Sequence, residues 1–163
     1  MARIKHAVLD AGPIIHLHEI DSLQVCDVIL DRVVAPEVVH EVGSIKIKAR
    51  TAQLDGLAKD FSKLLVEEYD LDLGEAQSIA VCRKEKISLF FTDDLDARDI
   101  ARRFGMEPHG TLALSLRALR EGLLDSHGAV SLIDKLYDQS SLYLTKDLVV
   151  YAHREIQRWV RGK

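Results

Sequence analysis

The chain has 163 residues, of which 47% are hydrophobic and 29% charged, with 3 Pro, 9 Gly and a net charge of −4. That is the composition of a globular protein long enough to bury a core, and it argues against long disordered linkers. No apolar run approaches the roughly 20 residues of a bilayer span, "MARIKHAVLD" lacks the apolar segment and cleavage site of a secretory signal, and the acidic balance argues against a generally basic nucleic-acid surface.

Taken in chain order, "IKHAVLD" (4–10) reads as a buried strand and "PIIHLHEI" (13–20) as a helix opened by Pro13. "RVVAP" (32–36) reads as a short strand, followed by a helix "PEVVHEV" (36–42) with Pro36 in its first turn. Residues 43–60 are polar and mixed, which predicts a loop with a short helix, and "KLLVEEY" (63–69) reads as a third strand. "GEAQSIAVCRKEK" (74–86) is helical and "ISLFFT" (87–92) a fourth strand. In "DLDARDIARRF" (94–104), Ala97, Ile100, Ala101 and Phe104 recur at i, i+3, i+4 and i+7, an amphipathic helix. "GMEPHG" (105–110) reads as a turn or a short fifth strand, and "TLALSLRALREG" (111–122) as a helix stopped by Gly122. "AVSLIDKLYDQ" and "TKDLVVYAHREIQRWV" are two closing helices (about 125–160) that complete a single domain, with Thr145 as N-cap of the last. Strands separated by helices imply an α/β fold with a parallel sheet between helices. Cys26 and Cys82 sit among aliphatic residues and read as core residues of a cytoplasmic protein.

"ISLFFTDDLDAR" (87–98) is the stretch that asks for a reason. A buried strand runs straight into Asp93, Asp94 and Asp96, and like charges so close repel and are costly to bury. In open α/β sheets ligands bind beyond the C-terminal ends of the strands. Asp10 ends the first strand, the three aspartates follow the fourth, Glu75 opens a helix, and Glu37 and Glu41 lie on the helix after the second strand. Glu75 shares a stripe with Ile79 and Cys82, Asp93 with Ala97 and Ile100, and Asp94 with Ala97 and Ala101, so these acids head apolar faces.

Each acid also has a plain structural explanation. Asp and Thr are favoured N-caps, and acids suit a helix's first turn. Capping explains Asp93 taken singly, a first-turn charge explains Glu75, and a solvated face explains Glu37 and Glu41. Capping does not explain the conjunction of acids at one end of one sheet. Converging carboxylates call for a hard cation, and Mg²⁺ uses one or two carboxylates plus waters and phosphate. Such ions hold the attacking and leaving oxygens of a phosphodiester displacement. Thr92 reads either as a hydrogen-bond donor to a carboxylate or phosphate or as a cap. Thr111 reads as a phosphate-binding helix start or a cap. Arg98 and Arg102 suit RNA guidance, with a local Arg98–Asp94 ion pair as competitor. "KIKAR" (46–50) is a candidate RNA-contacting loop or a solvated charge run. The seven histidines show no zinc spacing.

"VLDAGPIIHL", "APEVVHEV", "LDLGEAQSIAVC", "LFFTDDLDARDIARRFGM" and "GTLALSLRALREGLL", in this order and over nearly the whole chain, resemble the PIN-domain nucleases, and within them the small prokaryotic branch related to VapC-type toxins. The resemblance implies a three-layer fold around a central, mostly parallel sheet of four to five strands. It implies a ribonuclease dependent on Mg²⁺ or Mn²⁺, working as a homodimer and, in toxin members, silenced by a cognate antitoxin. Carried over residue by residue, it makes Asp10, Glu41, Glu75 and Asp94 the catalytic acids, with Glu41 favoured over Glu37. Asp10 and Asp94 would be direct or water-mediated ligands, Glu75 and Glu41 would complete the cage and orient water, and Asp93 and Asp96 would be further metal neighbours. Thr92, Arg98 and Thr111 would contact substrate. Ala11 and Gly12 stand where many members carry a hydroxyl residue. The alternative expectation is a catalytically inactive PIN-like module that binds RNA or protein. A receiver-type phosphotransfer domain, also acidic and α/β, lacks a suitable Lys after a final strand.

Overall fold

The computed structural model describes residues 3–163; the first two residues of the stretch read above for a targeting signal lie outside them. Five strands form one all-parallel sheet in the order β3-β2-β1-β4-β5. They are β1 (Ile4–Leu9), β2 (Ile29–Val34), β3 (Arg50–Thr51), β4 (Leu89–Phe91) and β5 (Glu107–His109). The helices are α1 (Ala11–Glu19), α2 (Pro36–Val42), α3 (Gly56–Tyr69), α4 (Leu73–Glu85), α5 (Leu95–Arg103), α6 (Thr111–Arg120), α7 (Ser126–Gln139) and α8 (Lys146–Arg161). Among the described residues, none of these helices is long and apolar enough to cross a membrane.

The apolar half of β1 explains its central place. Ala7, Val8 and Leu9 are fully buried, as a strand covered on both faces requires. Val8 pairs with Val33 of β2 on one side and Phe90 of β4 on the other. Helix α4 lies against β1 and β4, with α3 and α5 beside it. Helix α1 packs on α6, which α7 and α8 also contact. A single apolar core runs from Ala7 to Ile156, and each fully buried Leu, Ile or Phe contributes roughly 1.5–3 kcal/mol by leaving water.

The third strand is not where the sequence pattern put it. "KLLVEEY" belongs to helix α3, and the strand is the two-residue β3 inside the segment read as a loop. The three-residue apolar run Leu64, Leu65 and Val66 misleads because only some of it is inward. Ala58, Ser62 and Leu65 are buried at i, i+4 and i+7, whereas Leu64 is 47% exposed. Asp55 caps α3 by accepting from the Ala58 N–H (2.9 Å), and Asp70 closes it in the left-handed conformation. Glu75 therefore follows a helix, not a strand. Strand β2 also starts three residues before the predicted Arg32, because exposed Leu30 and the polar Asp31 and Arg32 break its apolar pattern.

The order of strands positions the site. From β1 the chain winds through β2 to β3, then crosses back to β4 and β5. The reversal leaves a crevice beyond the C-terminal ends of β1 and β4, where ligands of such sheets bind.

Candidate active site

Asp10 and Thr92 stand side by side at this reversal. The Asp10 N–H donates to Phe91 O (2.9 Å) and the Thr92 N–H to His109 O (2.8 Å), so the ladder runs to the lip of the crevice. Asp10 is 5% exposed and Thr92 fully buried. Thr92 Oγ1 donates to Asp10 Oδ2 (2.8 Å), and Asp10 Oδ1 is buried without a hydrogen-bond partner. Asp10 precedes α1 but its side chain does not cap it. Burial drives its pKa up to about 6; the Thr92 hydrogen bond and the nearby Ala11 N–H oppose the rise, while the charges of Asp93 and Asp94 add to it.

Glu75 and Asp94 face the same crevice and are turned toward their own helices. Glu75 Oε2 accepts from the Asp72 N–H (3.1 Å), one half of a capping box at the start of α4. Asp94 Oδ1 accepts from the Ala97 N–H (2.8 Å) and caps α5. Burial pushes Glu75 up to about 8, with the charges of Asp94 and Asp10 adding to the rise. Glu41, from the last turn of α2, is raised by burial and then by Asp10, Glu37 and Asp72. It fits because Gly74 has no side chain: a Cβ there would collide with Glu41 Oε1. Asp10 thus feels Asp94, Glu75 feels Asp94 and Asp10, and Glu41 feels Asp10, although the four acids come from separate segments of the chain.

Asp93 is different in kind. Its Oδ1 accepts from the Thr111 N–H (2.7 Å), and its Oδ2 from Thr111 Oγ1 (2.6 Å) and His16 Nδ1 (2.7 Å). Burial would raise its pKa, but the bonds from His16 and Thr111 outweigh burial and hold it below the usual carboxylate range. The carboxylate ties α1 and α6 to the loop after β4. Arg98 completes this cluster, donating from Nε to Thr92 O (2.9 Å), with a terminal nitrogen 3.7 Å from Asp93 rather than on Asp94. Gly110 leaves the room for it, since a Cβ would collide with the Arg98 guanidinium. Thr111 therefore spends both its N–H and its hydroxyl on Asp93. His16, considered in the sequence only among the histidines that show no zinc spacing, carried no signal for this role; its link to Asp93 spans 77 positions.

Asp10, Glu41, Glu75, Asp93, Asp94, Asp96, Thr92, Arg98 and Arg102 all line one open cleft of about 1080 Å³. Asp96 is exposed on the first turn of α5. The "KIKAR" segment lies elsewhere, with Arg50 bound to Asp31 and Glu85 at the sheet's far edge.

The donor set suits a hard cation: carboxylate oxygens, one of them buried and unpartnered, with no thiol among them. Among the described residues no three His, Cys, Asp or Glu stand as a closed group that could hold a metal ion, and Glu75 and Asp94 are each engaged as helix caps. Mg²⁺ does not require three, since it keeps most of its waters.

A family model described as a PIN domain matches residues 6–158. Comparison with curated proteins and with solved structures found no match.

Proposed function

The chain belongs to the PIN-domain family, whose fold is that of nucleases, and from that premise we propose that it hydrolyses RNA phosphodiester bonds with a divalent cation, Mg²⁺ or Mn²⁺. Asp10, Glu75 and Asp94 are the proposed ligands, with Glu41 completing the cage and Asp93 and Asp96 as neighbours. The observation that carries this reading is the free Asp10 Oδ1, buried at the cleft floor beside Asp93 and Asp94, whose charges add to the rise in its pKa. A cation bound there supplies the charge that acidifies water and offsets the developing charge on phosphate. Glu75, whose charge is disfavoured in the metal-free cleft, would be held ionised by the cation and would orient the attacking water together with Glu41. Thr92 orients Asp10. Arg98 lines the cleft where the scissile phosphate would approach, and Thr111, buried with both its N–H and its hydroxyl on Asp93, would act on substrate only by holding Asp93 in place. A VapC-like toxin role with a cognate antitoxin, a homodimer, one domain over 1–163 and a cytoplasmic setting complete the proposal.

The engagement of Glu75 and Asp94 as caps favours a second reading, a PIN-like module that binds RNA or protein without cleaving it. Thermal unfolding in EDTA against millimolar Mn²⁺ or Mg²⁺ separates the two. A ligand of the folded state alone adds about 2.7 kcal/mol at a hundred times its dissociation constant. The parent is expected to gain such a shift and to cleave RNA in the same metal. Asp94→Asn, which retains a capping side chain, is expected to lose both. A parent with neither shift nor cleavage would leave the binding module.

A further inference from the structure

The cleft has a second wall that the acids do not use. It comes from the loop between α7 and α8 and from α8 itself, and it carries Tyr143, 86% exposed, and Tyr151, 53% exposed. The Tyr143 side chain stands almost wholly in solvent at the cleft wall. Its flanking residues Leu142 and Leu144 are half-buried against the core. Just before it, the Ser141 N–H and Oγ donate to the two oxygens of Glu19 (2.6 and 2.7 Å), which pins the loop to the end of α1. Just after it, Thr145 caps α8. With the backbone anchored on both sides of Tyr143, stacking on its ring costs little backbone entropy.

We infer that Tyr143 and Tyr151 form a base-stacking wall for single-stranded RNA, with the guanidinium groups of Arg102 and Arg120 in the same cleft meeting the backbone phosphates. This rests on the ribonuclease reading of the acidic floor. Only unpaired nucleotides offer a free face, because bases in a duplex are stacked on one another. The charge of the molecule points the same way. With a net charge of −4 and a carboxylate floor, the cleft cannot draw most of its affinity from counterion release. Neutral stacking does not suffer from that repulsion. Arg102 pairs with exposed Asp99 (3.0 Å), and Arg120 stands 3.7 Å from Glu155. Each guanidinium has donors to spare for a phosphate.

The test is fluorescence anisotropy in millimolar Mn²⁺ with a short labelled 2′-O-methyl oligoadenylate, which resists hydrolysis, and with its duplex with 2′-O-methyl oligouridylate. The single strand is expected to bind the parent at least tenfold more tightly than the duplex. Tyr143→Ala and Tyr151→Ala are each expected to weaken single-strand binding by about 5- to 150-fold, and the Tyr→Phe variants to bind like the parent, because stacking needs the ring and not the hydroxyl. The Mn²⁺-induced thermal shift is expected to stay unchanged in all four variants, which also shows that they fold. Single-strand binding undiminished in both Ala variants would overturn the inference and leave the rings to a protein partner. So would equal binding of the duplex. In either case metal-dependent cleavage by the parent would still stand. A parent that binds neither strand and gains no shift from Mn²⁺ would overturn the nuclease reading together with this one.

Discussion

Asp10 and Asp93 are both buried carboxylates of one cleft, and their surroundings give them opposite effects on stability. Asp93 has every oxygen bonded and a pKa below the usual range. Its stabilising effect is present above the unfolded-state pKa and is lost as pH falls through the folded one. Asp10 has one bare oxygen and a pKa raised to about 6, so its charge is a burden in the metal-free protein. Asp93→Asn is expected to cost roughly 2 kcal/mol or more, the scale of hydrogen bonds to a charged group. Asp10→Asn keeps an acceptor for Thr92 and is expected to raise the melting temperature of the metal-free protein at pH 8 by a few degrees. Thermal melts of both variants in EDTA check the pair; two losses of equal size would remove the distinction between a strut and a ligand.

Helix starts make the site at the scale of elements. Helices α4 and α5 each begin at the cleft, with Glu75 and Asp94 as acids in their first turns or caps. The same residues satisfy orphan N–H groups and face the crevice, which is why capping and ligation compete as explanations. Gly74 shows how close the elements come. In Gly74→Ala the new Cβ would displace the Glu41 carboxylate, the flexible end of an exposed side chain. Ala also favours the helix by up to about 1 kcal/mol. The variant is therefore expected to melt at or slightly above the parent's temperature in EDTA while binding Mn²⁺ more weakly, as calorimetric titration would read. Unchanged affinity would place Glu41 outside the cage.

Over the whole molecule, the shared field of the acids sets a pH dependence. Asp10 at about 6 and Glu75 at about 8, both raised above their ordinary values, bind protons in the folded state that the unfolded chain has already released. The contribution of these two acids to folded stability falls as pH rises from about 4 to 8, partly offset by His109, whose pKa burial lowers. One buried shift of about two units bounds Asp10's share near 3 kcal/mol, and solvent screening reduces that of the half-exposed Glu75. Metal competes with these protons, so Mn²⁺ should stabilise more at pH 8 than at pH 5. Melts across pH with and without EDTA test this, and Glu75→Gln should flatten the metal-free slope. A metal-free protein at its most stable at pH 8 would show that the acids do not share a field.

The α/β alternation, the places of β1 and β4, the amphipathic α5 and the Thr145 cap were legible in the sequence, because period, capping chemistry and burial are local properties of the chain. The acids at the strand ends were legible for the same reason. The local pattern failed at α3, where a short apolar run has the same composition in a strand and a buried helix face. Which doubled aspartate does what was decided only by the tertiary structure. Asp93 is a strut because His16 and Thr111, 77 and 18 positions away, arrive beside it, and Asp94 is left as a cap at the mouth of the cleft. The strand order, and with it the reversal between β1 and β4 that gathers acids from four segments, is likewise a matter of long-range pairing. A one-dimensional pattern carries each element's preference and not its neighbours.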